Sequence, residues 1–206
     1  MKNGTPTVFV IDDDDAVRSS LRLLFKSYGL DAVMHASADE FLAGYDISRP
    51  GCLVLDVRMP GMSGPELQQR LNALGATIPI VFITGHGDVP MAVEAMQAGA
   101  FDFLQKPFRD DDLIERVQRA LARDAGQRAL FGARHDTRER LATLTPRERD
   151  VLNLVVVGKA NKVIAADLGL SQRTVEIHRA RVMEKMDAAS LAQLVRMVLD
   201  LERPAG

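Results

Sequence analysis

The fold is decided by two stretches of the chain, TVFVIDD at residues 7–13 and CLVLD at residues 52–56. Each is a short apolar run that ends in aspartate, which is the pattern of a strand buried on both faces of a parallel sheet. Helical periodicity follows the first run, where Val17, Leu21 and Leu24 repeat on one face. The order of strand, helix and strand predicts right-handed crossovers between parallel strands.

The same alternation continues through the first 123 residues. The predicted strands cover residues 7–11, 31–36, 52–56, 79–84 and 101–105. The predicted helices cover residues 17–29, 38–45, 64–75, 88–99 and 110–123. We therefore predict an α/β domain over residues 1–123, built on a five-stranded, doubly wound parallel sheet. In such sheets the functional site lies beyond the C-terminal ends of the strands.

The second half of the chain has a different pattern. Residues 124–143 are polar and rich in arginine, and Gly126 and Gly132 interrupt the helical periodicity, so we predict a linker that is only partly helical. Thr145 and Glu148 then form a capping box at the start of a helix. The predicted helices after the linker cover residues 146–158, 161–169, 172–186 and 189–201. Four short helices predict an all-α helix-turn-helix domain over residues 144–206.

Composition limits the classes of function that remain. The overall net charge of -2 divides unevenly, because residues 1–122 carry 11 Lys and Arg against 17 Asp and Glu, and residues 123–206 carry 15 against 11. A basic second half suggests that this half meets a polyanion. The single cysteine, Cys52, favours a buried thiol and a reducing compartment. No apolar run is long enough for a membrane span and nothing resembles a signal peptide, so we expect a cytoplasmic protein without a membrane partner.

Polar residues follow the predicted strands at one edge of the sheet. Asp12 and Asp13 end the first strand, Asp56 ends the third, Thr84 ends the fourth and Lys106 follows the fifth. Carboxylates this close raise one another's pKa unless a cation intervenes. Oxygen ligands without a His/Cys cluster favour Mg²⁺ over zinc. A carboxylate beside Mg²⁺, an ammonium and a hydroxyl can attack a phosphorus centre.

Four motifs give this half of the chain a recognisable family resemblance. They are IDDDDAVR, LDVRMPGMSG, ITGHGDVPMAVEAMQAGA and FDFLQKPF. Residues 7–122 resemble the receiver domains of two-component response regulators, particularly the FixJ type. The resemblance implies that Asp56 accepts phosphate from a sensor histidine kinase. The Mg²⁺ ligands that it implies are Asp13, Asp56 and the backbone carbonyl of Arg58, with Asp12 acting directly or through water.

The resemblance also implies a switch. Thr84 would take a phosphoryl oxygen, Lys106 would pair with it, and Phe103 would be the aromatic ring that turns inward, although its strand position is equally compatible with plain core packing. A cis bond before Pro107 is implied as well. Regulators of this kind pair two receivers through one face, so we expect a homodimer on phosphorylation. The candidate contacts are Glu94, Gln97, Arg109, Glu115 and Arg116.

Residues 144–200 resemble the LuxR-type helix-turn-helix, which implies binding to double-stranded DNA. Val175, Val182 and Met186 repeat at helical spacing and predict the inward face of the recognition helix. The residues that we expect to clamp the DNA backbone are Lys159, Asn161, Lys162, Arg173 and Thr174, which Lys185 could extend. The residues that we expect in the groove are Glu176, Ile177, His178, Ala180 and Arg181. His178 has a rival interpretation as a half-buried, hydrogen-bonded histidine.

We therefore predict a phosphorylation-controlled transcription regulator that is not an enzyme and that works with RNA polymerase. One alternative is a constitutive DNA-binding regulator whose receiver is a structural or phosphate-sink module. A phosphatase with Asp56 as nucleophile is disfavoured, because the phosphatases that it would resemble carry an aspartate where this chain has Arg58. A regulator gated by a small apolar ligand is disfavoured because the chain has no Trp and two Tyr.

Overall fold

The computed structural model describes residues 4–85 and 89–202 of the chain. Its sheet has five parallel strands in the order β2-β1-β3-β4-β5, which confirms the predicted doubly wound architecture. The strands are β1 (Thr7–Ile11), β2 (Asp31–His35), β3 (Gly51–Asp56), β4 (Ile80–Thr84) and β5 (Asp102–Gln105). The cis peptide bond expected before Pro107 is present.

The helices follow the predicted order. In the first half they are α1 (Asp15–Ser27), α2 (Ala38–Gly44), α3 (Gly64–Ala73), α4 (Val89–Gln97) and α5 (Asp110–Ala142). In the second half they are α6 (Pro146–Val156), α7 (Asn161–Leu168), α8 (Gln172–Lys185) and α9 (Leu191–Glu202). Asp88, with which the fourth helix was predicted to begin, lies outside the described residues. Asp14 caps α1 by accepting from the amide of Ala16.

The sheet is buried on both faces because its strands alternate their side chains between two apolar clusters. On β3, Leu53 and Leu55 belong to a cluster with α2, α3 and α4. Cys52 and Val54 point into a second cluster, with α1 and α5. Cys52 is a free, fully buried thiol, as predicted.

The fifth helix is much longer than predicted. It continues from Asp110 to Ala142 through the segment expected to be only partly helical. Gly126 and Gly132 each cost about 1 kcal/mol relative to alanine, but alanine, arginine and leucine around them favour the helix. Side-chain contacts add to this, because Thr137 Oγ1 donates to the Ala133 carbonyl one turn earlier. The chain divides into two compact units between Arg128 and Ala129, inside this helix.

A buried ion pair fixes the last part of α5 that belongs to the N-terminal unit. Asp124 is 1% exposed, and its carboxylate accepts from the amide of Gly51 at 3.0 Å and from Arg128 Nε at 2.8 Å. The guanidinium of Arg128 also donates to three consecutive backbone carbonyls at 2.8–3.1 Å, those of Ile47, Ser48 and Arg49. We call this set of contacts the α5 clamp. It joins α5 to the beginning of β3.

The C-terminal unit is built around its own apolar cluster. Val151, Ile164, Val175, Val182 and Leu194 are all buried in it, so α6, α7, α8 and α9 share one core. The predicted capping box at the start of α6 is present. Gly169 ends α7 in the left-handed conformation, which suits glycine. No helix among residues 4–85 and 89–202 is both long enough and apolar enough to cross a bilayer.

Candidate functional site

The C-terminal ends of three strands of the sheet, β1, β3 and β5, bring two carboxylates and one ammonium together. Lys106 Nζ lies 2.8 Å from Asp12 Oδ2 and 2.9 Å from Asp56 Oδ1. Asp12 follows β1, Asp56 is the last residue of β3, and Lys106 follows β5, so all three lie at the C-terminal edge of the sheet. The side chains of Asp12 and Asp56 are 2% and 10% exposed. The rule that a functional site lies beyond the C-terminal ends of parallel strands therefore predicted correctly that these three side chains lie close together.

Backbone groups hold both carboxylates in place. The amide of Arg58 donates to Asp56 Oδ2 at 2.8 Å, and the amide of Asp14 donates to Asp12 Oδ1 at 2.9 Å. Arg18 was not singled out from the sequence, but its Nη1 donates to the Asp12 carbonyl at 2.6 Å. The signal that could have identified Arg18 is its spacing of three residues from Asp15, with which it forms an ion pair.

Burial and charge act in opposite directions on this group. Burial raises the pKa of Asp56, and the hydrogen bond and charge of Lys106 offset only part of that rise. Burial also disfavours the ammonium of Lys106, but its hydrogen bonds to Asp12 and Asp56 outweigh burial and raise the pKa of Lys106. The site therefore holds a permanent positive charge beside a carboxylate that is costly to keep ionised.

The other predicted residues surround this centre. Thr84 is the last residue of β4 and is buried, and its carbonyl accepts from the amide of Lys106 at 2.7 Å. Asp13 is exposed, and within the described residues its side chain makes no hydrogen bond. The Arg58 side chain is exposed, so only its backbone meets Asp56. Phe103 is half-buried against the cluster shared with α2, α3 and α4, which fits both of its interpretations.

The donor set at this edge suits a hard cation. In the part of the chain that the structure describes, no three His, Cys, Asp or Glu side chains are grouped closely enough to enclose a metal ion. Mg²⁺ does not need such a cage, because it keeps several waters and is bound through one or two carboxylates. Asp12 and Asp56 share one ammonium, so their oxygens already face a common centre of positive charge. The residues present therefore fit Mg²⁺.

The C-terminal unit places most of the predicted DNA-contacting residues on its surface. Seven of them are exposed: Lys159, Lys162, Arg173, Glu176, Ile177, Ala180 and Arg181. Three are half-buried: Asn161, Thr174 and His178. The predicted inward face is confirmed, because Val175, Val182 and Met186 are buried. The set therefore spans the segment before α7, the start of α7 and the outer face of α8.

Several of these side chains have partners that the sequence did not reveal. Lys159 Nζ lies 2.7 Å from Asp167 Oδ2, and Asn161 Oδ1 accepts from Arg179 Nη1 at 2.6 Å. Thr174 donates its amide to Ser171 Oγ, which caps α8. His178 was alternatively interpreted as a half-buried, hydrogen-bonded histidine. It is half-buried, but its Nδ1 has no hydrogen-bond partner among the described residues.

Lys185, which the sequence suggested could extend the DNA-contacting set, is paired within the C-terminal unit. Its ammonium lies 2.6 Å from Glu148 Oε2 and 3.2 Å from the carbonyl of Thr143. Glu148 is buried, and its hydrogen bonds to Lys185 and to the Thr145 amide lower the pKa of its carboxyl to about 2. Lys185 is thus occupied by the capping box of α6, because a buried carboxylate requires a paired cation.

Two family models match the chain. Residues 8–118 match the response regulator receiver domain, and residues 142–198 match the bacterial regulatory proteins of the luxR family. The chain therefore belongs to the two-component response regulators that join a receiver domain to a LuxR-type DNA-binding domain. Receivers of this family bind Mg²⁺ at the phosphorylation site in general, and response regulators act with a histidine kinase and with DNA. The family is one of transcriptional regulators, which is not a class of enzymes.

Within that family the chain is similar to proteins of the FixJ type. It is 56% identical to the transcriptional regulatory protein FixJ of Azorhizobium caulinodans, over 93% of this chain and 91% of that protein. It is 50% identical to nodulation protein W of Bradyrhizobium diazoefficiens, over 92% of this chain and 84% of that protein. Among solved structures, response regulator StyR is 45% identical, with a TM-score of 0.85 over 95% of this chain and 99% of that chain.

Proposed function

We propose that a histidine kinase phosphorylates Asp56, and that the phosphate controls dimerisation and sequence-specific DNA binding and thereby transcription. The observation that carries this proposal is the position of Lys106 Nζ, within 2.9 Å of both Asp12 and Asp56 at a buried sheet edge. A buried carboxylate next to a fixed ammonium is suited to attack a phosphorus centre, because the ammonium can neutralise charge on the transferring group.

The roles of the residues follow from the chemistry of the transfer. The Asp56 carboxylate attacks the phosphorus of a phosphohistidine, the P–O bond forms, the P–N bond breaks, and the imidazole leaves. Lys106 pairs with a phosphoryl oxygen, and the hydroxyl of Thr84 donates to another. Asp12, Asp13, Asp56 and the Arg58 carbonyl would hold Mg²⁺, which supplies further positive charge opposite the phosphoryl oxygens.

Dimerisation is proposed through the face formed by α4, β5 and α5. Val93 and Met96 on α4 are exposed by 48% and 44%, and with Ala92 and Gln97 they line a shallow apolar depression of about 450 Å³. Arg116 Nε lies 3.3 Å from Asp102 Oδ2, so α5 and β5 are joined by charge at this face. The other candidate contacts, Glu94, Gln97, Arg109 and Glu115, are all exposed. Phosphorylation of Asp56 would change this face through movements of Thr84 and Phe103, which we propose as the switch residues.

DNA binding is proposed through α7 and α8. Lys162, Arg173 and Arg181 are exposed and form no ion pair with any described residue, so their charges are available to phosphates. Glu176, Ile177 and Ala180 lie outward on α8, where a carboxylate can accept from cytosine and apolar side chains can contact thymine methyls. Lys159, Asn161, Thr174 and His178 complete the proposed contact set.

We also propose the setting in which the chain works. It is a regulator rather than an enzyme, it contacts RNA polymerase at the promoters that it controls, and it is cytoplasmic. A second candidate function is constitutive DNA binding with the receiver as a structural module. The exposed outer face of α8 supports it, because α8 is held in place by the apolar core of the C-terminal unit itself.

Sedimentation velocity with Mg²⁺ tests the proposal. We expect acetyl phosphate to convert the wild-type chain from monomer to dimer, and Asp56→Asn to remain monomeric, because the amide cannot form an acyl phosphate. Asp39→Asn, at an exposed aspartate on α2, is the matched control and should behave as wild type. A chelator should abolish the shift. A wild-type chain that carries the acyl phosphate and stays monomeric at micromolar concentration would contradict control through dimerisation.

A further inference from the structure

A hydrogen bond joins the two helices of the proposed DNA-binding surface. Arg179 on α8 donates from Nη1 to Asn161 Oδ1, on the first residue of α7, at 2.6 Å. Both side chains are half-buried. Such a short charge-assisted bond between two helices fixes the orientation of the neutral partner as well as its position.

The chemistry of the pair determines which way the Asn161 amide is turned. A guanidinium can only donate, so the atom facing Arg179 must be the carbonyl oxygen of the amide. The Nδ2 donors are therefore directed elsewhere, and they form no hydrogen bond within the described part of the chain. At the same place Ala160, the N-cap of α7, provides no side-chain hydrogen bond. The beginning of α7 thus presents an oriented amide donor at the positive end of a helix.

The neighbouring lysines differ in their availability. Lys159 is paired with Asp167 at 2.7 Å, so part of its charge is already neutralised. Lys162 is exposed, and no acidic side chain among the described residues pairs with it. A phosphate placed at the start of α7 would therefore meet the Lys162 ammonium and the Asn161 amide together.

We propose that Arg179 is a positioning residue, which turns the Asn161 amide so that Nδ2 donates to a DNA phosphate. This inference rests on the proposed DNA-binding function and extends it. The residue that contacts the DNA backbone is hydrogen-bonded directly to the helix that enters the groove. A phosphate contact made by α7 then also fixes the register of α8, because the two are joined by the Arg179–Asn161 bond.

A double-mutant cycle on the full chain tests the role of Arg179. The probe is a labelled duplex of mixed sequence, titrated at several salt concentrations with Arg179→Met, Asn161→Ala and the double variant. We expect each single variant to lose about ten- to a hundredfold in affinity, the worth of one hydrogen bond to a charged group. The double variant should be no weaker than the weaker single variant, because both changes remove the same contact.

The salt dependence separates positioning from direct contact. Lys162→Ala should lower the slope of log affinity against log salt by about 0.9, the value for one phosphate contact by a cation. Arg179→Met should leave the slope close to that of the wild type. A slope lowered as much as in Lys162→Ala, with losses that add in the double variant, would show that Arg179 itself contacts phosphate and would overturn the proposal.

A second variant keeps the test valid if Arg179→Met is poorly folded. Asn161→Asp keeps an acceptor for Arg179 but removes the Nδ2 donor, so thermal stability should be kept while DNA affinity falls. Asn153→Asp, at an exposed asparagine on α6, controls for the added negative charge. Equal losses in the two variants would overturn the role of the amide. A wild-type chain that does not bind the duplex would instead refute the proposed function itself.

Discussion

At the scale of single residues, Lys106 sets the ionisation of the proposed phosphate acceptor. Burial raises the pKa of Asp56, and Lys106 offsets part of that rise. Removing the ammonium in Lys106→Met should therefore raise the pKa of Asp56 further, because burial would then act without this offsetting charge. Since the proposed nucleophile is the carboxylate, the pH profile for phosphorylation by acetyl phosphate should move to higher pH.

The position of this profile separates the electrostatic effect from a general loss of rate. Lys26→Met removes an exposed lysine of α1 and should leave the profile where it is in the wild type. If Lys106→Met instead lowers the phosphorylation rate by the same factor at every pH, without moving the profile along the pH axis, then Lys106 acts on the phosphoryl group and not on the ionisation of Asp56.

Glu148 makes the stability of the C-terminal unit depend on acid. Its pKa falls from the usual 4.5 to about 2, chiefly through the hydrogen bond from Lys185. A carboxyl whose pKa is lower in the folded chain stabilises the fold above pH 4.5, and this contribution is lost as the pH falls towards 2. We expect Glu148→Gln to melt below the wild type at neutral pH, with a difference that shrinks over this range.

Thermal melts followed by circular dichroism between pH 7 and pH 3 would measure this difference, at about one-unit intervals. Glu184→Gln removes an exposed glutamate from α8 and is the matched control. A difference between Glu148→Gln and the wild type that stays constant as the solution is acidified would contradict the ion pair with Lys185.

The residues that the sequence predicted well are those placed by strand ends. The sequence alone predicts the proximity of Asp12, Asp56 and Lys106, because all parallel strands have their C-terminal ends at one edge of the sheet. The partners of Lys185 and Asn161 could not be predicted in this way, since they lie 37 and 18 residues away on other helices. Such contacts depend on how helices pack, and the periodicity of one helix contains no information on that.

At the scale of elements, α5 shows the limit of local signals. Gly126 and Gly132 led us to predict an interrupted helix, but the α5 clamp and the surrounding helix-forming residues outweigh the destabilising effect of the two glycines. Arg128→Met would leave the buried carboxylate of Asp124 without its cation, so we expect the N-terminal unit to lose about 3 to 5 kcal/mol of stability. Urea unfolding would measure this loss.

The clamp predicts a partial rescue. In Asp124→Asn/Arg128→Met no buried charge remains unpaired, so the double variant should be more stable than Arg128→Met alone. Arg123→Met removes an exposed arginine of the same helix that lies over the Phe101 ring, and it should cost much less, about 0.5 to 1 kcal/mol. A double variant that is less stable than Arg128→Met would contradict the cost of an unpaired buried charge, and would show that the Asp124 carboxylate stabilises the fold through its bond from the Gly51 amide even without Arg128.

At the scale of the whole molecule, the proposed switch changes the number of phosphates that one binding event engages. If phosphorylation pairs two chains on DNA, the slope of log affinity against log salt should become about twice as steep. We would measure it on a duplex long enough for two chains, with and without acetyl phosphate, using Asp56→Asn as the control. Tighter binding at an unchanged slope would favour a change within a monomer.

The α5 clamp also has a consequence for recombining modules. The family model for the receiver ends at residue 118, but the buried partner of Gly51 is Asp124, and Asp124 needs Arg128. A chimera that joins this receiver to a foreign output module directly after residue 118 would lose both side chains. A crossover point placed after Arg128 would keep Asp124 and Arg128 with the receiver, and the receiver of the chimera should then keep its native stability.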